Sequence, residues 1–285
     1  MQVLDTPAAM SAWSEAHRVA GRRVALVPTM GALHDGHIAL VDEARCHADV
    51  VAVSIFVNPL QFNRRDDFDA YPRPLDDDLV ICRDHAVDAV YAPTAGEMYS
   101  VGFETHVEPG PLADVLEGAQ RPGHFRGVTT VVAKLFGAAR PHIAVFGQKD
   151  FQQLAIIRRM VIDLDMSIEI IGLPTVRERD GVAKSSRNRR LSPAQRACAV
   201  CVPRSLQTIE SLLHDGVRDT RLLIAAGRSV VDNEPLARFE HLEIVHPGTL
   251  APLAAIDDVG LAVTAVWFGD VRLIDNRLLA ALRPA

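Results

Sequence analysis

The chain has 285 residues, 48% of them apolar, and a formal net charge of −6. That length suits one large or two modest domains with a sizeable core, and the acidic balance excludes a general nucleic-acid binder, which needs a basic footprint. No apolar run approaches the roughly 18 residues of a membrane span, and the first nine residues lack the basic region and apolar core of a signal peptide, so a cytoplasmic location is expected.

In chain order, apolar spacing predicts a helix over 6–20 and a strand over 24–27 that breaks at Pro28 and turns at Gly31, followed by a helix over 36–46. The run 50–57 (VVAVSIFV) is continuously apolar and β-branched, the pattern of a parallel strand buried on both faces. A helix over 75–85, a strand over 89–92, a helix over 128–138, a strand over 143–146, a helix over 151–164 and a strand over 167–172 follow. This alternation predicts a doubly wound α/β domain with a parallel sheet over 1–175, with ligand at the carboxyl ends of the strands. The pattern then changes. Ser192 as N-cap and Pro193 at the first helical position open a helix to 213, and another helix spans 220–233. Strands over 242–245, 262–268 and 271–275 follow, the last two joined at Gly269-Asp270, an order that suits a II′ turn. A smaller α+β domain over 176–285 is expected.

Four cysteines, Cys46, Cys82, Cys198 and Cys201, are expected to be reduced and mostly buried. Cys198 and Cys201 form a lone Cys-x-x-Cys inside the expected 192–213 helix, without the strand before it that a redox pair uses or the second pair that zinc needs. Nearly all cations are arginine. The only lysines are Lys134, Lys149 and Lys184, and the last two lie in motif-like surroundings where a compact ammonium has a use.

Four constellations carry chemistry. In the first, Met30-Gly31-Ala32-Leu33-His34-Asp35-Gly36-His37, a strand, a glycine turn and a helix start deliver two histidines at i, i+3 spacing. A helix N-terminus with two imidazole donors suits a polyphosphate. The second, Phe56 to Phe62, places Asn58 and Gln61 after a buried strand, where their amides suit a small hydroxylated acid; Asn58 serves equally as turn chemistry. In the third, Gly147-Gln148-Lys149-Asp150, Lys149 meets phosphate as a point charge, and Asp150 either caps the next helix or binds a ribose hydroxyl. Gln153 lies one turn further. In the fourth, Asp180 to Asn188, Lys184, Ser185, Ser186 and Arg187 offer hydroxyls, backbone N–H groups and cations to a triphosphate. Two weaker features are Arg121 to Gly127, a Gly-rich basic segment that reads as a mobile lid, and the run Asp76-Asp77-Asp78. That run reads more readily as the acidic first turn of a helix than as a water-mediated magnesium contact.

The segments PTMGALHDGH (28–37), FVNPLQF (56–62), GHFRGVTTVVAKLF (123–136), FGQKDFQQL (146–154), KSSRN (184–188) and DVRLIDN (270–276) resemble the pantoate–β-alanine ligase (pantothenate synthetase) family of the nucleotidyltransferase superfamily. They occur in the family's order across almost the whole chain. The resemblance implies a Rossmann-like domain and a small C-terminal domain that closes over it. It implies ATP-dependent condensation of pantoate with β-alanine through an acyl adenylate, releasing AMP and pyrophosphate, with Mg2+, in a cytoplasmic homodimer. It places Met30 to His37, Gly147 to Asp150, Val176 and Lys184 to Arg187 at ATP, with His34, His37, Lys149 and Arg187 as the catalytic donors. It implies that Gln61 and Gln153 hold pantoate and that Gln61 also reaches β-alanine; the reading of the residues themselves adds Asn58 as a substrate candidate and Asp77 as the candidate carboxylate near magnesium. Position 184 is usually apolar in that family, and Lys184 departs from it. A cytidylyltransferase or a fragment of an aminoacyl-tRNA synthetase is the competing enzyme reading. A non-catalytic nucleotide-binding regulator competes from another class, but it need not retain both histidines, Lys149 and Arg187.

Overall fold

The computed structural model describes residues 1–281. The chain divides into a first unit, Met1–Pro174, and a second that begins at Thr175.

The first unit is built on six parallel strands: β1 (Gln2–Leu4), β2 (Val24–Thr29), β3 (Val50–Ile55), β4 (Ala89–Tyr91), β5 (Ile143–Gly147) and β6 (Glu169–Leu173), in the order β1-β4-β3-β2-β5-β6. Its helices are α1 (Pro7–Val19), α2 (Asp35–His47), α3 (Arg65–Asp69), α4 (Leu75–Asp84), α5 (Ala95–Met98), α6 (Glu117–Gln120), α7 (His124–Ala139) and α8 (Phe151–Asp163). Helices cover both sheet faces, which is why the central strands carry uninterrupted apolar runs. On one face Met10 and Trp13 of α1, Val132 and Leu135 of α7 and Ile157 of α8 pack with Leu26, Ala52 and Ala144. On the other, Leu40, Val41 and Ala44 of α2 and Cys82 of α4 pack with Val27, Val53 and Val145. Each fully buried aliphatic side chain contributes about 1.5–3 kcal/mol. From β2 the chain winds outward to β3 and β4, then returns to place β5 and β6 on the other side. The direction therefore reverses between β2 and β5, and the loops leaving their carboxyl ends flank the crevice where ligands of such sheets bind.

Strands β1 and β2 differ from the sequence expectation. Strand β1, three residues at a sheet edge, is too short to show a period. Strand β2 continues through Pro28 to Thr29, paired with Ser54 and Ile55 of β3. The proline is tolerated because β5 pairs β2 only at Ala25 and Leu26, so no ladder partner awaits the missing N–H.

The second unit comprises α9 (Pro193–Cys198), α10 (Cys201–His214), α11 (Thr220–Asp232) and an antiparallel sheet of β7 (Arg238–Val245), β8 (Val259–Phe268) and β9 (Val271–Ala280), in that order. Leu206, Ile209 and Leu213 of α10 and Leu223 of α11 bury against Leu242, Ile244, Ala262 and Leu279. Between β8 and β9, Gly269 takes φ +64° while Asp270 stays out of the left-handed region, as a II′ turn requires. The single helix expected over 192–213 is two. Ser192 caps α9 in a reciprocal box with Gln195, but a continuous helix would set the Pro203 ring against the carbonyl of Ala199 and leave that carbonyl without its donor. The chain turns at Ala199-Val200 and restarts with Pro203 in the first turn of α10. Cys198 and Cys201 thus straddle a break rather than lie within one helix. All four cysteines are free; Cys82 and Cys201 are buried, whereas Cys46 is exposed, contrary to expectation, because it falls on the outer face of α2. Among the described residues no helix is long and apolar enough to cross a membrane.

Candidate active site

At the carboxyl end of β2, Thr29 Oγ1 donates to the Ser54 carbonyl (2.7 Å) and accepts from Gly31 N (3.1 Å). Gly31 (φ +80°) and Ala32 (φ +50°) then take successive left-handed conformations. The turn is held by Asp78 of α4, 1% exposed, whose two carboxylate oxygens accept from Ala32 N (2.8 Å) and Leu33 N (2.7 Å). A Cβ at position 31 would lie 2.8 Å from Asp78 Oδ2, so sterics and φ both require glycine there. The left-handed alanine costs about 1–2 kcal/mol. Two charge-assisted hydrogen bonds, each worth about 1.5–3 kcal/mol, offset it.

The turn leads into the histidines. His34 is the N-cap of α2, and it forms a reciprocal cap with His37. Gly36 N donates to His34 Nδ1 (3.1 Å), and His34 N donates to His37 Nδ1 (3.3 Å). The ring centroids are 4.1 Å apart. Burial, with the neighbouring His34 and Lys149, pushes the His37 pKa down to about 3, although Asp150 opposes this. The ring is neutral at pH 7. Because its Nδ1 accepts, its proton resides on Nε2, so His37 offers one uncharged donor.

Next to this turn lies Gln61, at the end of the 3₁₀ turn Pro59–Gln61 that follows β3. Its Nε2 is 3.2 Å from Met30 Sδ. Asn58 Oδ1 accepts from Leu60 N (3.2 Å) and from the Tyr99 hydroxyl (2.7 Å), while Asn58 Nδ2 donates to Gln61 Oε1 (3.0 Å) and the Gly127 carbonyl (3.0 Å). Asn58 is thus both turn cap and brace for Gln61. Helix α7 comes close enough to form these bonds because position 127 is glycine: a Cβ there would lie 2.3 Å from the Leu60 carbonyl oxygen. The segment read as a mobile lid over 121–127 is therefore corrected. From His124 onward it is the first turn of α7, with His124 and Phe125 buried. His124 Nδ1 donates to the Gln61 carbonyl (2.7 Å), and burial and Arg121 push its pKa down to about 4, which keeps the ring neutral.

At the end of β5, Gln148–Asp150 form a 3₁₀ turn. Lys149 Nζ lies 3.9 Å from Asp150 Oδ1, and its side chain is 17% exposed. Gln148 Nε2 is tied to the Gly172 carbonyl (3.1 Å). Asp150 stands before α8 without making a side-chain cap, which removes one of its two readings. Gln153 is half-buried one turn on, while its neighbour Gln152 is buried and bonds the Leu112 and Val115 carbonyls (2.8 Å each), holding the segment before α6. The electrostatic influence of His34, Lys149 and Asp150 on His37 brings the first and third constellations to one place, and the Met30–Gln61 contact adds the second.

The fourth constellation lies on the second unit. Arg177 and Ala183 pair across a tight turn, with Lys184 N donating to the Val176 carbonyl (2.9 Å). Arg177 forks onto Asp275 of β9 (2.7 and 2.9 Å) and donates to the Gly181 carbonyl. Arg196 of α9 grips Glu178 (2.8 Å) and Asp180, and Asn188 bonds Glu178 (3.0 Å) and the Ala183 carbonyl. The segment is an anchored loop. Ser185 Oγ accepts from Arg187 N (3.3 Å), and among the described residues no carboxylate pairs with the half-buried Arg187 guanidinium.

Asp76 and Asp77 are exposed in the first turn of α4, and no cluster of three or more metal-ligating side chains occurs among the described residues. The residues that sequence reasoning missed are the braces: Asp78, Tyr99, His124 and the Arg177–Asp275 pair. Asp78 lies in the acidic run 76–78, His124 in GHFRGVTTVVAKLF and Asp275 in DVRLIDN, so three of them stood in segments singled out for other reasons.

The family profile described as pantoate-beta-alanine ligase matches residues 2–278. Pantothenate synthetase of Geobacter sulfurreducens is 47% identical over 279 residues, covering 98% of this chain and 99% of that protein. The crystal structure of pantothenate synthetase from Thermus thermophilus superposes with a TM-score of 0.91 at 44% identity, covering 97% of this chain and 99% of that one. Pantoate-beta-alanine ligase from Francisella tularensis, crystallised with beta-gamma ATP and beta-alanine, superposes with a TM-score of 0.81 at 32% identity, covering 98% of this chain and 97% of that one.

Proposed function

The chain belongs to the pantoate–β-alanine ligase family, and on that premise we propose that it condenses pantoate with β-alanine at the expense of ATP, by way of pantoyl adenylate. The observation that carries the residue assignment is the meeting of His34, His37, Lys149 and Asp150 at the reversal point of the sheet, with Gln61 against Met30.

A carboxylate is a poor electrophile and must be activated before an amine attacks it. A pantoate carboxylate oxygen attacks the α-phosphorus of ATP, the bond from that phosphorus to the bridging oxygen breaks, and pyrophosphate leaves. The β-alanine amine then attacks the acyl carbon, and AMP leaves. Negative charge develops on phosphoryl oxygens in the first step, so preorganised donors do most of the catalysis. His37 supplies a neutral Nε2–H, which requires no proton uptake at the moment of reaction. The Lys149 ammonium supplies a point charge. Ser185, Ser186 and the Arg187 fork are assigned to phosphate, and Val176 belongs to the same ATP-binding set. Met30 to His37 and Gly147 to Asp150 shape the nucleotide site, with Asp150 assigned to a ribose hydroxyl. Gln61 and Gln153 bind pantoate, and Asn58 acts by holding Gln61.

Magnesium enters as the ATP complex. Both Asp78 oxygens bond backbone N–H groups, so of that run only the exposed Asp76 and Asp77 would meet a hydrated ion carried on phosphates, as Mg2+ prefers. The ion would neutralise phosphate charge there.

The test is an assay of AMP release with MgATP, adding pantoate and β-alanine together and separately. AMP is expected only when both acids are present. Release indifferent to either acid overturns the proposal.

A further inference from the structure

Tyr99 lies just past α5, outside every sequence motif and 41 residues from Asn58. Its ring is set between Phe56 and Phe103, at centroid distances of 6.1 and 4.9 Å, with Lys134 Nζ 6.0 Å over its face. Its hydroxyl is the shortest of the four contacts on the Asn58 amide, at 2.7 Å.

The donor and acceptor roles along these contacts are determined. Leu60 N–H can only donate and the Gly127 carbonyl can only accept, so Asn58 Oδ1 faces Leu60 and Tyr99 while Nδ2 faces Gly127 and Gln61. Tyr99 must therefore donate. Gln61 must turn Oε1 to Asn58 Nδ2, because the opposite orientation would set two donors against each other. Its Nε2 is then the group left facing Met30, with only a thioether sulfur at 3.2 Å, a weak acceptor that a substrate oxygen readily replaces.

We infer that Tyr99 is a positioning residue for the acid substrate: its hydroxyl completes the Asn58 bracket that fixes Gln61 as an outward hydrogen-bond donor, so that the site selects a carboxylate or hydroxyl oxygen at that point. This rests on the assignment of Gln61 to pantoate. Burial of the phenol holds it protonated, and hence a donor, throughout the working pH range. A bracketed amide discriminates because a misplaced partner leaves a buried donor unpaired.

The experiment is steady-state kinetics on Tyr99→Phe, Asn58→Asp and Gln61→Ala, with thermal midpoints measured in parallel. Tyr99→Phe removes one hydrogen bond, so the pantoate KM should rise roughly 3- to 10-fold, with the ATP KM and kcat unchanged and the midpoint lower by no more than about 4 °C. Asn58→Asp keeps the acceptors for Tyr99 and Leu60 but loses the donor to Gln61, so pantoate KM should rise further. Adding Tyr99→Phe to Asn58→Asp should then change little. A Tyr99→Phe enzyme with wild-type pantoate KM, beside a Gln61→Ala enzyme that binds pantoate poorly, overturns the role of Tyr99 and leaves the Gln61 assignment standing. Equal losses for pantoate and ATP with a lowered midpoint also overturn it, as a merely structural role. A wild-type pantoate KM in Gln61→Ala removes the assignment itself, and the inference with it. Should Tyr99→Phe fail to fold, Asn58→Asp alone decides: unchanged pantoate KM refutes the bracket.

Discussion

The two loops assigned to phosphate, 30–37 on the first unit and 176–188 on the second, are each held by one buried aspartate, in opposite ways. Asp78 accepts from two backbone N–H groups and so fixes the path of the chain itself, including a left-handed alanine. Asp275 accepts from the Arg177 guanidinium and fixes the loop through a side chain. The first arrangement leaves no slack, because the bonded atoms belong to the residues that turn. The second leaves a side chain's worth of freedom. The rigid loop carries the neutral His37, whose usefulness depends on close aim. The tethered loop carries hydroxyls and a long arginine, which tolerate looser placement.

The largest expected effect comes from breaking the rigid anchor. In Asp78→Asn one oxygen still accepts, but an amide NH2 now faces a backbone N–H. The loss of a charge-assisted pair and the unpaired donor together cost about 3–5 kcal/mol. With the turn released, activity should fall by about 10²-fold or more, since an ångström of misplacement suffices for that. Chemical denaturation and kcat/KM check the two effects. A stable variant with wild-type turnover would show that the turn does not depend on Asp78.

Asp275→Asn should cost less. Asp275 has a side-chain exposure of 1%, but Arg177 is 24% exposed and keeps the Gly181 and Asn276 carbonyls. Water screens the guanidinium, so the loss is about 1–3 kcal/mol. Hydrogen exchange should speed in 176–188 and leave 30–37 untouched. Equal exchange in both loops would break the distinction between them.

The contrast also explains what the sequence could reveal. The loops themselves were legible, because Gly31, His34, His37, Lys149 and Arg187 stand in short runs beside apolar strands with a clear period. Their anchors were not. Asp78 lies 46 residues from Ala32 in an acidic run that reads as an ordinary helix start, and Asp275 lies 98 residues from Arg177. Tyr99 is invisible for the same reason: nothing local distinguishes a tyrosine that donates across the fold from one that fills space. The 192–213 helix failed differently. Apolar spacing continued through Pro203, and the break was decided by one missing N–H. The strand order, which sets the reversal point between β2 and β5, is a long-range property that alternation alone does not fix.

Acid should separate the two loops without any mutation. His37 titrates near 6.5 when unfolded and near 3 when folded, so between those values the unfolded chain binds the extra proton. Stability from His37 is full above about pH 6.5 and is lost as pH falls through that window. In the second loop, Glu178 is held below the usual carboxylate range, first by its hydrogen bond to Arg196 and also by Asn188. That contribution is present above the ordinary carboxylate pKa and fails only below it. At about pH 5.5, therefore, hydrogen exchange should quicken in 30–37 while 176–188 keeps its neutral-pH protection. His37→Gln should flatten the thermal midpoint between about pH 7 and pH 5.

The smallest effect is expected at Lys184. Its backbone N–H is committed to the Val176 carbonyl, a bond that any side chain permits, so the path of the loop should survive Lys184→Met. What changes is one cation on a loop that already carries Arg187. Removing one half-buried cation should shift ATP KM by about threefold or less, with kcat intact. Lys149→Ala is the measure of that claim. It removes an ammonium with 17% side-chain exposure that acts on His37, and a lost preorganised donor costs about 10²- to 10³-fold in kcat. If Lys184→Met were as damaging as Lys149→Ala, the second loop would be a rigid catalytic element like the first. If neither variant lost activity, the placement of the triphosphate at both loops would be wrong.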